Sequence, residues 1–209
     1  PSKEEAERIV PVVRALVAEG AVVSVDTRHA DVARMCVRLG AAIVNDVTGF
    51  TDPEMVQVAA DTDCGCVVMH WSKDSLVARP PRRQVLLDES RPMGSAAQRP
   101  VTSQRRFTLP EEAPIMRKVM GFLGDQARTL MRAGVARERI CVDPGPGFDK
   151  MADEDVVIQR ATRSMVSMGY PVVTAVSRKR FVGAISGVEE AADRDAATFG
   201  VCLGAIENG

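Results

Sequence analysis

Five times along this chain a short apolar run ends on or runs straight into a polar residue and gives way to a helical pattern, with no hairpin turn between runs. The runs cover 21–26, 41–46, 66–70, 140–143 and 172–176. Short apolar runs bounded by breakers are the mark of strands covered on both faces. Between them apolar residues recur at three- and four-residue spacing: Ile9, Val10, Val13, Leu16 and Val17; then Val32, Met35, Cys36 and Leu39; later Ile115, Val119, Phe122 and Leu130; last Phe199, Cys202, Leu203 and Ile206. The predicted helices cover 2–19, 30–39, 53–60, 111–131, 153–168 and 193–207. Ser2 with Glu5 forms a capping-box pattern, Pro11 predicts a local kink, and Gly20 and Gly40 are stops.

Strict alternation without hairpins argues for parallel strands with helices outside. Five strands, each ending in a polar or charged residue, suit a (β/α)8 TIM barrel with its active face at the strand C-termini, incomplete here because about five of eight strands are present. The competing architecture, a doubly wound open sheet, calls for a Gly-rich turn after the first strand, and Val25-Asp26-Thr27-Arg28 is not one. The chain reads as a single partial barrel domain, 1–209, interrupted by a long Arg/Pro-rich segment at about 71–110. That segment carries seven arginines (79, 82, 83, 91, 99, 105 and 106) and reads as a loop.

Composition narrows the function classes. A net charge of -1 and a pI near 6.2 imply no general affinity for nucleic acid or membranes, and no apolar run approaches the roughly 20 residues that cross a bilayer. Cys36, Cys64, Cys66, Cys141 and Cys202 read as reduced, buried small hydrophobes of a cytoplasmic protein. Cys64-Gly65-Cys66 lacks both the C-x-x-C spacing and a second ligand pair, so packing is the better account of it.

Parallel strands bring Asp26, Asn45, Met69, Asp143 and the turn 177–179 to one rim. Carboxylates and a carboxamide there suit a flat heterocycle with N–H edges, Met69 and Phe148 offer apolar faces, and Lys179 adds a cation. Each residue also has an ordinary alternative. Asp26 caps a helix, Asn45 braces a loop, Asp143 caps its own turn, and Lys179 is solvated. Asp46, beside Asn45, stays open as ligand or brace.

Ser24-Val25-Asp26-Thr27, Ile43-Val44-Asn45-Asp46, Val68-Met69-His70, Asp143-Pro144-Gly145-Pro146-Gly147-Phe148 and Ser177-Arg178-Lys179 resemble, in order and spacing, dihydropteroate synthase. The aspartate-proline-glycine and Ser-Arg-Lys elements together are specific. The resemblance implies condensation of a dihydropterin pyrophosphate with 4-aminobenzoate, giving dihydropteroate and pyrophosphate in folate synthesis, a sulfonamide-sensitive reaction. It implies that Asp26, Asn45, Asp143 and Lys179 hold the pterin, with Asp143 and Lys179 as catalytic candidates and Met69 and Phe148 lining the slot. Ser177 and Arg178 would meet the aminobenzoate carboxylate. It further implies Mg2+ with its ligand outside this chain, a homodimer, and poor turnover by these 209 residues alone. Asp149 and Ala175 stand where such enzymes usually carry glycine. The alternatives are a non-catalytic pterin-binding module and a methyltetrahydrofolate-type pterin-binding protein.

Overall fold

Four of the five expected strands pair side by side. The structure, a computed structural model, describes residues 2–71 and 107–209. Its elements run α1 (Ser2–Ala18), β1 (Ser24–Asp26), α2 (Ala30–Arg38), β2 (Ile43–Asp46), α3 (Pro53–Ala60), β3 (Gly65–Met69), α4 (Pro114–Arg132), β4 (Ile140–Asp143), α5 (Ala152–Arg160), α6 (Thr162–Val166), α7 (Arg180–Ser186) and α8 (Asp195–Glu207). The sheet is parallel throughout, in the order β1-β2-β3-β4. This is the parallel βα arrangement that the alternation predicts. Most of the expected 71–110 loop, namely 72–106, lies outside the described residues.

Register follows from what each strand buries. Val25, Val44, Val68 and Val142 are each at most 5% exposed and turn toward the helices. Each contributes about 1.5–3 kcal/mol by leaving water. A one-residue slip would exchange Val25, Val44 and Val142 for Asp26, Asn45 and Asp143 on the opposite face, so the register is strongly specified. α2, α3 and α4 cover that side with Ala33, Met55, Val58, Val119, Leu123 and Leu130, all nearly or wholly buried. Cys64 and Cys66 are buried beneath these helices as free thiols.

The fifth expected strand, 172–176, is not one. It makes a single parallel bridge, Val142 to Val172. The Val142 N–H donates to the Pro171 carbonyl at 2.9 Å and the Val173 N–H to the Val142 carbonyl at 2.8 Å. The next donor along β4 would be residue 144, a proline with no N–H, so the ladder stops there. β1 is shorter than predicted, 24–26 rather than 21–26, and Val22 is largely exposed. The expected helix 153–168 is two, α5 and α6, meeting at Ala161 with φ -89° and ψ 21°. α1 runs unbroken through Pro11.

Candidate functional site

Strand parity separates Asn45 from Asp46. Asp26 stands in register with Asn45, and both project from the face away from the helices. Met69 stands in register with Asp143 one step nearer the strand ends, on that same face. Asp46 projects the other way and is fully buried. Its carboxylate accepts from the Thr48 N–H (2.8 Å), the Thr48 hydroxyl (2.7 Å) and the Phe50 N–H (2.8 Å). Asp46 is therefore a brace for the loop after β2, which closes the question left by the sequence.

On the open face the Asn45 amide donates to Asp26 at 3.3 Å, while its carbonyl oxygen is buried with no hydrogen-bond partner among the described residues. Partial burial raises the Asp26 pKa, against the lowering effect of the Asn45 bond. Asp143 is buried too. Desolvation raises its pKa, while a bond from the Gly145 N–H (2.7 Å) and the charges of Lys179 and Lys150 pull it down. The Asn45 oxygen and Asp143 are held out of water beside the exposed Asp26 without being fully paired, the condition in which a polar ligand gains most.

The stretch after β4 gives the site its shape. Gly145 has φ +62°, and a side chain there would run into the His70 carbonyl, so only glycine fits against β3's end. Lys179, immediately before α7, donates to the Pro146 carbonyl at 2.5 Å and lies 5.0 Å from the centre of the Phe148 ring. Burial lowers the Lys179 pKa, with Asp143 and Asp155 opposing. The Trp71 ring meets Phe148 edge-on at 6.0 Å, and its indole N–H donates to Asp149 at 2.6 Å.

The structure thus brings Asp26 to Asn45, Met69 to Asp143, and Phe148 to Lys179. Ser177 is exposed, and Arg178 turns aside: its guanidinium makes two 2.6 Å bonds to Asp195 at the start of α8. Residues that the sequence did not single out also meet here. Lys150 donates to three loop carbonyls, Asp155 accepts from the Gly147 N–H at 2.7 Å, and Glu5 of α1 bonds Thr27 and His29 just beyond β1. A buried His70 keeps an Nδ1 with no hydrogen-bond partner among the described residues, and burial drops its pKa to about 4, so it is neutral at physiological pH. The only sequence signal for Lys150 and Asp155 was a charge placed inside or just beyond a Pro/Gly loop.

A model of pterin binding enzymes matches residues 1–209. The chain belongs to the pterin binding enzyme family. A dihydropteroate synthase of Mycobacterium leprae is 36% identical over 180 residues, covering 86% of this chain and 54% of that protein. The Thermus thermophilus enzyme solved with 4-aminobenzoate aligns over 100% of this chain and 70% of its own, at TM-score 0.76 and 33% identity. The Xanthomonas albilineans enzyme solved with 7,8-dihydropteroate aligns over 100% of this chain and 66% of its own, at TM-score 0.77 and 26% identity. The chain spans between about half and two-thirds of the length of curated relatives such as these. As an arc of parallel βα units in this family, it has the TIM-barrel fold its sequence predicts.

Proposed function

We propose that this chain carries the pterin-binding side of a dihydropteroate synthase, which joins a dihydropterin pyrophosphate to 4-aminobenzoate. The observation that carries this reading is the unpartnered, buried Asn45 oxygen beside Asp26, one step below the buried Asp143. Together they offer two carboxylates and a carboxamide to the N–H edge of a pterin, with Met69 and Phe148 against its faces. Relatives named for this reaction, and solved with its substrate and product, support the choice.

In the reaction the methylene C–O bond breaks and its electron pair leaves with pyrophosphate. The arylamine nitrogen then bonds the carbon and gives a proton to solvent. Asp143 and Asn45 orient the ring, and Asp143 offsets the positive charge that grows on it. Lys179, held by Pro146 and Phe148, places a cation beside the ring. Ser177 and Arg178 meet the aminobenzoate carboxylate in this proposal, and Arg178 must then exchange Asp195 for it. Magnesium, implied by the family resemblance, finds no cluster of three His, Cys, Asp or Glu among the described residues, so no step is assigned to it. We place the protein in the cytoplasm as a homodimer. No described helix is long and apolar enough to cross a membrane.

The test is product formation. Incubating the full-length protein that carries this chain with both substrates and Mg2+ is expected to give dihydropteroate, with a sulfonamide competing against 4-aminobenzoate, whereas these 209 residues alone are expected to turn over poorly. Pterin binding without product from the full-length protein would move the assignment to a non-catalytic pterin-binding module.

A further inference from the structure

Lys150 has no role in the contacts proposed above, yet it is 8% exposed and sits under the site. Its Nζ donates to the carbonyls of Gly145 (2.7 Å), Phe148 (3.0 Å) and His70 (3.3 Å). An ammonium has three N–H donors, and here all three are used. Two acceptors belong to the loop after β4 and the third to the residue after β3, so one charge ties the loop to the neighbouring strand. The loop's donors are committed as well: the Gly145 N–H to Asp143 and the Gly147 N–H to Asp155. Two backbone bonds, from the His70 N–H to the Asp143 carbonyl (2.8 Å) and from the Phe148 N–H to the Gly145 carbonyl (3.2 Å), hold the start and the turn of this path, and side chains set the rest of it.

We infer that Lys150 is a positioning residue, whose ammonium holds the 143–150 loop against the end of β3 and so aims the Asp143 carboxylate and the Phe148 ring at the pterin. This rests on the pterin reading of the site. The charge matters because a neutral amine has only two N–H groups and would turn a lone pair toward the third carbonyl. The groups facing Lys150 are Asp143 at the end of β4, Asp155 and Glu154 on α5, Lys179 before α7, and His70 after β3.

Burial lowers the Lys150 pKa to about 8; Asp155, Asp143 and Glu154 oppose this and Lys179 adds to it. Two effects of opposite sign follow. The cost of burying the charge is fully present below pH 8 and is relieved as pH rises toward the ordinary lysine value, so fold stability gains from Lys150 titration. The tie to the three carbonyls is intact at pH 7 and is lost as pH rises through 8, so pterin affinity falls. A merely structural lysine would show the first effect without the second.

The experiment is calorimetric titration of the full chain with a hydroxymethyl dihydropterin, without pyrophosphate so that no phosphate ionises, between pH 6.5 and 9.5. Wild-type affinity is expected to hold to pH 7.5 and to fall about tenfold by pH 9, as the competent fraction falls. Lys150→Met should bind at least about tenfold more weakly at pH 7 and show no break near pH 8. Lys150→Arg, charged throughout, should lose the break as well. Wild-type affinity and profile in Lys150→Met would overturn the inference. Should Lys150→Met fail to fold, the wild-type and Lys150→Arg profiles decide: a break near pH 8 in both assigns it to a group other than Lys150 and overturns the inference. Asp143→Asn is the control for the pterin reading. If it binds as tightly as wild type, or if wild type does not bind, that reading fails and takes the inference with it. If Asp143→Asn loses affinity while Lys150→Met does not, the inference alone fails.

Discussion

Neighbouring residues here carry opposite duties. Asn45 keeps a buried oxygen with no partner among the described residues, the group proposed to meet the pterin, whereas Asp46 spends its carboxylate on three donors of its own chain. Asn45→Leu should therefore leave the thermal midpoint unchanged or higher, since an unpaired buried acceptor is removed, while pterin binding is lost. Calorimetry with pterin and a thermal melt on one preparation check both halves. Asp46→Ala should do the reverse and cost about 2–4 kcal/mol of stability, measured by denaturant titration, because it orphans buried donors. Asp149 poses a finer balance. It occupies φ +52°, where glycine is at ease, and its side chain accepts from Trp71. Left-handed backbone costs about 1–2 kcal/mol for an ordinary residue and less for aspartate, whereas a bond to a charged acceptor contributes about 1.5–3 kcal/mol. The bond wins, so Asp149→Gly should destabilise by about 1 kcal/mol despite the easier backbone. Trp71 is the single tryptophan, so its emission should shift in that variant; superimposable spectra would mean the indole is not held there.

Among elements, the strands read well and their ends less so. β2 and β4 fall inside the apolar runs and β3 overlaps its run with one residue more at the start, because one face of each strand is buried under helices and the other is mostly apolar up to the strand end. The 172–176 run carried the same apolar signal, yet Pro144 across the gap ends the ladder, a fact that belongs to the partner strand. Arg139 shows another such dependence. Its guanidinium donates to the carbonyls of Cys64 (2.9 and 2.8 Å) and Ala59 (2.8 Å), pinning the end of α3 and the start of β3 to the entry of β4. A planar fork can reach both acceptors at once; an ammonium cannot match that geometry. Arg139→Lys should accordingly lower stability by about 1–2 kcal/mol, read as a shifted denaturant midpoint with unchanged slope.

At the scale of the whole molecule, α8 exposes Phe199 (64%), Ile206 (72%) and Leu203 on its outer side. A contiguous apolar face of this kind is the usual sign of an interface. Phe199→Glu with Ile206→Glu should shift the proposed dimer to monomer in sedimentation velocity; an unchanged mass would place the contact elsewhere. By itself the sequence determined the alternation of strand and helix, the parallel sheet that alternation requires, and the set of polar residues at the strand ends. These are written in periodicity and breakers, which act over a few residues. Only the tertiary structure decided that Asn45 faces the site while Asp46 props a loop, that Arg178 is held by Asp195, and that Asp149 is held by Trp71, 78 residues away. The tie from Lys150 to His70, across 80 residues, is of the same kind. Such pairings depend on which strands become neighbours, and no local pattern records that.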